Sequence, residues 1–199
     1  MVEAPLLMAV EFRATRRAML YVSFGVLKHN KAMEKSVLIW QSELNLSAKQ
    51  RDLLCQQSLT RALKALDAVF SVKLLYLGES AADVWLSDVV GQERGFVRDV
   101  LLCLDDEPVV WARSRCAWED TTWREILNCG TQPLGERLFD GLLALTRSPF
   151  EYTWLQSEQA LAGFTGTAFA ARRSVFELNG GKLGLVECFL PSLMRYGWE

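Results

Sequence analysis

The chain has 199 residues, of which 50% are hydrophobic and 23% are charged. This length suits one domain with a sizeable core, and the ordinary charged fraction argues against intrinsic disorder. The formal net charge is −2 and no polybasic block occurs, so we expect no nucleic-acid partner. The adjacent Arg172 and Arg173 are only weak evidence for one.

Cysteine and histidine usage limits the possible chemistry. The five cysteines are odd in number and include no Cys-x-x-Cys pair, which favours a reducing compartment and a cytoplasmic location over a disulfide framework. Cys103 and Cys188 lie in apolar runs and have no histidine in the domain to activate them, so we interpret them as core residues rather than nucleophiles. Because His29 is the single histidine, we expect no zinc site.

The N-terminal segment contains an apolar stretch at residues 18–27. This stretch is too short to span a bilayer, which needs ~20 apolar residues, and residues 29–31 after it offer no small-x-small cleavage site. We therefore expect no membrane insertion. We interpret residues 1–35 as an extension of uncertain role, either a peripheral amphipathic segment or residues upstream of a start at Met33, and residues 36–199 as the domain.

Capping patterns indicate the helices. Ser47-Ala-Lys-Gln50 has the form of a capping box, and leucines at roughly helical spacing follow it, which predicts one helix or two consecutive helices over 47–66. Thr122-Trp-Arg-Glu125 has the form of a second capping box, which predicts a short helix that stops near Gly130. A further helical turn or two is predicted over 133–138.

The remaining segments predict strands and two hairpins. Turn signals at 105–108 and at Asn179-Gly180-Gly181 each join two strands. Consecutive hairpins favour antiparallel pairing, and the helices fall before and between the strands, so we predict an α+β domain with a mainly antiparallel sheet flanked by helices. The predicted strands cover residues 70–77, 96–104, 109–115, 150–155, 174–178 and 183–190.

Two charged residues fall on apolar strand faces. Alternation places Arg98 on one face with Val100, Leu102 and Leu104, and it places Glu187 on one face with Leu183, Leu185 and Phe189. An unpaired buried charge is costly. Either the two charges pair with each other or with other core groups, or both face a pocket for an acidic ligand, which an arginine fork can hold by two parallel hydrogen bonds. Periodicity leaves both interpretations open.

Four segments, in order, resemble the chorismate lyase family. In that family an arginine opens a strand ending in Leu-Leu-Cys, a Pro-Leu-Gly segment follows, and a hairpin carries Arg-Arg-Ser and a glutamate before Pro. The resemblance extends from about residue 37 to residue 193, as read from the motif positions. The matching segments are Arg98–Cys103 with Asp106–Pro108, Gln132–Phe139, Arg172–Ser174 and Glu187–Pro191.

The resemblance implies a small buried site closed by helical flaps. It implies that Arg98 and Glu187 are the catalytic residues and contact opposite ends of the aromatic product, and that backbone near Leu59 and Leu134 also binds it. Two residues differ from the family pattern: Leu59 replaces a methionine, and Val186 replaces an expected threonine. If the contact at position 59 comes from the main chain, leucine preserves it.

The resemblance also implies an activity. It implies a cofactor-free lyase that converts chorismate to 4-hydroxybenzoate and pyruvate, an early step of ubiquinone biosynthesis, and we expect a monomer. Two alternatives stay open: a non-catalytic effector-binding domain of the same fold, and a related enzyme that converts chorismate to another product. An effector domain usually follows a winged-helix domain, for which residues 1–35 are too short.

Overall fold

An antiparallel sheet of seven strands forms the centre of the fold. The computed structural model describes residues 38–45, 47–139, 144–155 and 160–197. The proposed extension, residues 1–35, lies outside them. The strands are β1 (Phe70–Ser80), β2 (Gly95–Leu104), β3 (Glu107–Ala117), β4 (Thr146–Arg147), β5 (Glu151–Trp154), β6 (Ala170–Leu178) and β7 (Gly181–Phe189). The helices are α1 (Ala48–Leu54), α2 (Leu59–Lys64), α3 (Ser87–Val90), α4 (Thr121–Leu127), α5 (Leu134–Phe139) and a 3-10 helix (Pro191–Tyr196).

The predicted α+β class is confirmed. The strand order is β1-β2-β3-β7-β6-β4, with β5 also paired to β6, and each of these pairs is antiparallel. The six predicted strands are all present; most ends extend further than predicted, whereas β5 is one residue shorter at each end and β7 ends one residue earlier. The sequence does not predict β4, α3 or the 3-10 helix, because such short elements show no usable periodicity. Among the described residues, no helix is long and apolar enough to cross a membrane.

The helical region predicted over 47–66 is two helices, α1 and α2. The capping box at the start of α1 is confirmed: the Ser47 N–H donates to Gln50 Oε1 at 3.1 Å, and the Gln50 N–H donates to Ser47 Oγ at 3.3 Å. Ser58 caps α2, and its hydroxyl accepts a hydrogen bond from the Arg61 N–H. This second cap separates the helices, because the cap residue has an extended backbone.

Two tight turns set the register of the central strands. Asp105 and Asp106 join β2 to β3, Asn179 and Gly180 join β6 to β7, and all four have φ between 47° and 82°. Two consecutive positive φ values are the signature of a type I′ hairpin. The β6–β7 ladder continues from its turn without a shift. The β2–β3 ladder shifts by one residue beside Pro108, which has no N–H to donate.

Both faces of the sheet centre are covered, and β2 is buried along almost its whole length. One face packs against α1, α2 and the 3-10 helix through a cluster that includes Leu63, Leu102 and Leu193. The other face forms a cluster that contains Trp111, Cys103 and Cys188. Both cysteines are fully buried, which confirms that they are core residues.

A balanced ion cluster lies on the second face. Arg113 binds Asp99 through two hydrogen bonds, Nε to Oδ1 and Nη2 to Oδ2, both at 2.8 Å. Asp83 Oδ2 lies 3.4 Å from Arg113 and 3.5 Å from Arg115, and Arg115 also donates to the Ala81 carbonyl. Two cations therefore meet two anions, and together they attach the segment before α3 to the sheet.

The predicted cap of α4 is wrong by two residues. The helix begins at Thr121, and Asp120 is the N-cap, with Oδ1 accepting the Trp123 N–H at 2.9 Å. A carboxylate at this position also interacts favourably with the positive end of the helix dipole, which a threonine hydroxyl does not. Thr122 is therefore inside the helix, which ends at Leu127 rather than near Gly130.

Substitution of the cap residue tests this assignment. Asp120→Ala should lower the free energy of unfolding by about 1 kcal/mol, the usual cost of losing an N-cap side chain. Thr122→Ala, the matched control, should change it by less than about 0.5 kcal/mol, because Thr122 is an exposed helical residue. Urea unfolding measures both values. A larger loss for Thr122→Ala than for Asp120→Ala would contradict the assignment.

Candidate active site

One cavity contains all four residues that the sequence analysis selected. Leu59, Arg98, Leu134 and Glu187 line it. Its floor is the sheet face that carries Arg98 and Glu187, and its cover is the first turns of α2 and α5. The other lining residues are Gln57, Ser58, Thr60, Val72, Val100, Leu102, Ala112, Ser114, Pro133, Gly135, Leu138, Phe139, Arg147, Arg172, Phe176 and Leu185.

Strand register arranges the floor in rows. Val100, Ala112, Glu187 and Arg172 are successive cross-strand partners from β2 to β6. Arg98 lies one row further along β2. Neighbouring strands are about 4.8 Å apart and like-facing residues about 7 Å apart along a strand, so the backbones of Arg98 and Glu187 are about 12 Å apart. Their side chains therefore reach into the cavity from different ends.

Arg98 is a buried cation without an anionic partner among the described residues. It is 2% exposed, and its Nη2 donates to the carbonyls of Gly130 at 2.8 Å and Gln132 at 3.0 Å. Its Nε is buried without an acceptor. Burial lowers the pKa of the Arg98 guanidinium. A buried charge of this kind normally has a counter-ion, so the cavity suits an anionic ligand.

Glu187 pairs with Arg172 rather than with Arg98. Arg172 Nε donates to Glu187 Oε2 at 2.6 Å, and both residues are buried. Of the two structural interpretations open at the outset, direct pairing of Arg98 with Glu187 is wrong, and Glu187 pairs with another core group. Glu187 Oε1 has no hydrogen-bond donor within the described part of the chain, so one oxygen remains for a ligand.

Two further arginines line the cavity, and the sequence analysis did not assign either to the site. Arg172 Nη1 donates to the carbonyls of Leu54 and Gln56, both at 2.7 Å. Arg147 Nη1 donates to the carbonyl of Gln57 at 2.6 Å. The guanidinium carbons of Arg147 and Arg172 lie 3.8 Å and 4.2 Å from the ring centroid of Phe150, within cation–π range.

The sequence contains a signal for one of these arginines. The two-residue turn at Asn179-Gly180 pairs Leu178 with Gly181, and continuing that register places Arg172 opposite Glu187. Cross-strand pairing could therefore have found Arg172. Arg147 lies in a two-residue strand, which carries no periodicity from which to predict a face.

The electrostatic balance of the cavity is positive. Its lining holds three arginines and one glutamate, a formal excess of two positive charges. Burial, and then the proximity of Arg172, lowers the pKa of Arg147 to about 10, so the side chain remains charged at neutral pH. No group of three or more His, Cys, Asp or Glu residues that could hold a metal ion occurs in the described ranges.

The two covering helices approach each other closely above the cavity. A Cβ atom at Gly135 would lie 3.2 Å from Thr60 Oγ1, so a side chain there would press α5 against α2. Lys64 and Glu136 form an ion pair between the same helices. Leu59 and Leu134 are the first residues of α2 and α5, where backbone N–H groups lack an acceptor within the helix.

Comparisons with known proteins identify the family of this chain. The model of the family described as chorismate lyase matches residues 34–196. A probable chorismate pyruvate-lyase of Albidiferax ferrireducens is 36% identical, over 71% of this chain and 80% of that protein. Probable chorismate pyruvate-lyase 1 of Burkholderia pseudomallei is also 36% identical, over 67% of this chain and 78% of that protein.

A solved structure is more distantly similar. The effector domain of PhnF from Mycobacterium smegmatis is 12% identical, with a TM-score of 0.47, over 68% of this chain and 89% of that one. The family match covers most of the sequence, and it includes all four selected site residues. The chain therefore belongs to the chorismate lyase family.

Proposed function

We propose that this chain converts chorismate to 4-hydroxybenzoate and pyruvate, without a metal or organic cofactor. The observation that carries the proposal is Arg98, a buried guanidinium whose only described hydrogen bonds go to backbone carbonyls. It lies in the same cavity as Glu187. A ring with a carboxylate at one end and a hydroxyl at the other complements this pair.

The chemistry places modest demands on the protein. The bond between the ring carbon and the ether oxygen breaks, and its electron pair leaves with the enolpyruvyl oxygen. The hydrogen on the adjacent, hydroxyl-bearing ring carbon is lost as a proton, and its C–H electrons complete the aromatic ring. That proton moves to the methylene carbon of the leaving group, which becomes pyruvate. Aromatisation drives the reaction, so positioning in a water-poor cavity is the protein's main contribution.

Specific roles follow for the selected residues. Arg98 anchors the ring carboxylate through the guanidinium donors that remain free, because Nη2 already donates to the carbonyls of Gly130 and Gln132. Glu187 accepts a hydrogen bond from the ring hydroxyl through Oε1, while Arg172 holds Oε2. Orientation is the role we favour for Glu187, because proton movement within the substrate needs no enzyme base. The alternative is that Glu187 assists proton transfer, and the turnover of the Glu187→Gln variant described below distinguishes the two roles.

The covering helices complete the proposed site. The backbone N–H groups of Leu59 and Leu134 donate to the bound ligand from the first turns of α2 and α5. A leucine at position 59 preserves such a contact, since it comes from the main chain. We further propose that this reaction supplies the aromatic ring for ubiquinone biosynthesis.

Incubation with chorismate tests the activity directly. Protein treated with a chelator should release equal amounts of 4-hydroxybenzoate and pyruvate, measured by chromatography and by a coupled pyruvate assay. Activity that disappears on chelation and returns with a metal would refute the cofactor-free mechanism. Chorismate recovered unchanged, although bound, would favour an effector-binding domain, and a different aromatic product would indicate a related enzyme.

Substitutions at the two ends of the cavity test the residue roles. Arg98→Ala should weaken binding of 4-hydroxybenzoate about tenfold to a hundredfold, because a charge-assisted hydrogen bond contributes ~1.5–3 kcal/mol. Arg98→Lys should recover only part of this loss, because an ammonium group lacks the fork. Glu187→Gln should change product binding modestly if Glu187 orients the hydroxyl, but should reduce turnover far more if it transfers a proton.

Arg137→Ala is the matched control for Arg98, since Arg137 is an exposed arginine of α5 that does not line the cavity. It should retain wild-type product affinity and turnover. Thermal midpoints of all variants identify any that are unfolded. A folded Arg98→Ala protein with wild-type affinity and turnover would contradict the assignment of Arg98 to the active site.

The proposed domain boundary has its own test. We propose that residues 36–199 form the domain, so a chain that begins at Met33 should fold and keep its turnover, because the family match begins at residue 34. Circular dichroism and the chorismate assay, with the full chain as reference, measure this. An inactive or insoluble shortened chain beside an active full chain would show that the preceding residues belong to the domain.

A further inference from the structure

Buried charge is balanced differently on the two faces of the sheet. On the face opposite the cavity, every buried arginine has carboxylate partners: Arg113 and Arg115 meet Asp83 and Asp99, and Arg173 meets Asp88 and Glu151. The cavity lining instead carries two more cations than anions. A monoanionic ligand would neutralise one of these charges, whereas a dianionic ligand would neutralise both. Chorismate carries two carboxylates.

Arg147 has a complete guanidinium edge without an acceptor in the part of the chain that the structure describes, at the end of the cavity that holds Glu187. Within the described ranges, its single hydrogen bond is from Nη1 to the Gln57 carbonyl, which leaves Nε and Nη2 without an acceptor. Those two nitrogens form the same edge by which Arg113 binds both oxygens of Asp99. Arg172 is already committed, through Nε and Nη1, to Glu187 and two carbonyls.

The position of Arg147 matches the geometry of the substrate. Its guanidinium lies 3.8 Å from the ring centroid of Phe150, and that of Arg172 lies 4.2 Å from the same centroid. Arg147 is therefore close to Arg172, which holds Glu187, and its strand β4 lies four strands away from β2, which carries Arg98. The enolpyruvyl ether of chorismate is attached to the ring carbon next to the hydroxyl-bearing carbon. A substrate whose hydroxyl contacts Glu187 therefore extends its second carboxylate at this end of the cavity.

We infer that Arg147 binds the carboxylate of the enolpyruvyl group through its Nε and Nη2 edge, while Arg98 binds the ring carboxylate. This assignment rests on the proposed function and adds to it a residue that distinguishes substrate from aromatic product. With both carboxylates held, rotation about the ether bonds is restricted. The methylene carbon then stays near the ring hydrogen that it receives as a proton.

The experiment compares chorismate, which carries the enolpyruvyl carboxylate, with 4-hydroxybenzoate, which lacks it. Arg147→Ala should lower kcat/KM for chorismate about tenfold to a hundredfold, the effect of one lost charge-assisted contact. It should leave the affinity for 4-hydroxybenzoate little changed, because that product lacks the enolpyruvyl carboxylate. Arg147→Lys should recover part of kcat/KM through its charge. Arg61→Ala is the matched control, since Arg61 is an exposed arginine of α2 outside the cavity lining, and it should match the wild type in both measurements.

The outcomes separate this inference from the proposed function. A wild-type chain that forms no 4-hydroxybenzoate would overturn the proposed function itself. An active wild type with an unchanged kcat/KM in Arg147→Ala would overturn only the role of Arg147. Equal losses of kcat/KM for chorismate and of affinity for 4-hydroxybenzoate would also overturn the role of Arg147. Such losses would indicate that Arg147 acts structurally, through Gln57 or Phe150. If Arg147→Ala does not fold, Arg147→Lys carries the same comparison, with a smaller loss for chorismate and none for 4-hydroxybenzoate.

Discussion

The register of the two central hairpins determines which charges face the cavity. Side chains alternate between the faces of a strand, so a slip of one residue in β2 would replace Arg98 by Asp99 on the cavity face. A slip in β7 would replace Glu187 by an apolar neighbour. Each hairpin closes through two residues with positive φ, and such short turns leave little freedom in pairing. The turn residues, together with the one-residue shift beside Pro108 in the β2–β3 ladder, therefore decide the electrostatic character of a site that lies far from them.

The charge distribution that results divides the sheet into a structural face and a binding face. Arg113 and Asp99 satisfy each other through two hydrogen bonds, and this pair needs nothing from outside the chain. Arg98 donates to two carbonyls instead, which satisfy its hydrogen-bonding groups only in part and do not neutralise its charge. The same residue type thus stabilises the fold on one face and remains available to a ligand on the other.

Most of the fold is predictable from the sequence because the strands are long and their turns are distinctive. The positions of Arg98 and Glu187 on apolar faces are also predictable, since alternation along a strand is a local property. Pairing between strands is less local, so Arg172 was recognisable only through the register of the β6–β7 hairpin. Arg147 follows a segment without periodicity, and only the assembled tertiary structure places it beside Phe150. The misplaced cap of α4 has a simpler cause, since three successive residues, Asp120, Thr121 and Thr122, are all acceptable N-caps.

The carbonyl acceptors of the cavity arginines have a consequence for sequence variation. Arg98 holds the segment that leads into α5 through the carbonyls of Gly130 and Gln132. Arg147 and Arg172 hold the segment that leads into α2 in the same way. Every acceptor is main chain, so the side chains of these segments can diverge while the tethers persist. We expect these segments to lack insertions, deletions and new prolines, because such changes alter the path of the main chain.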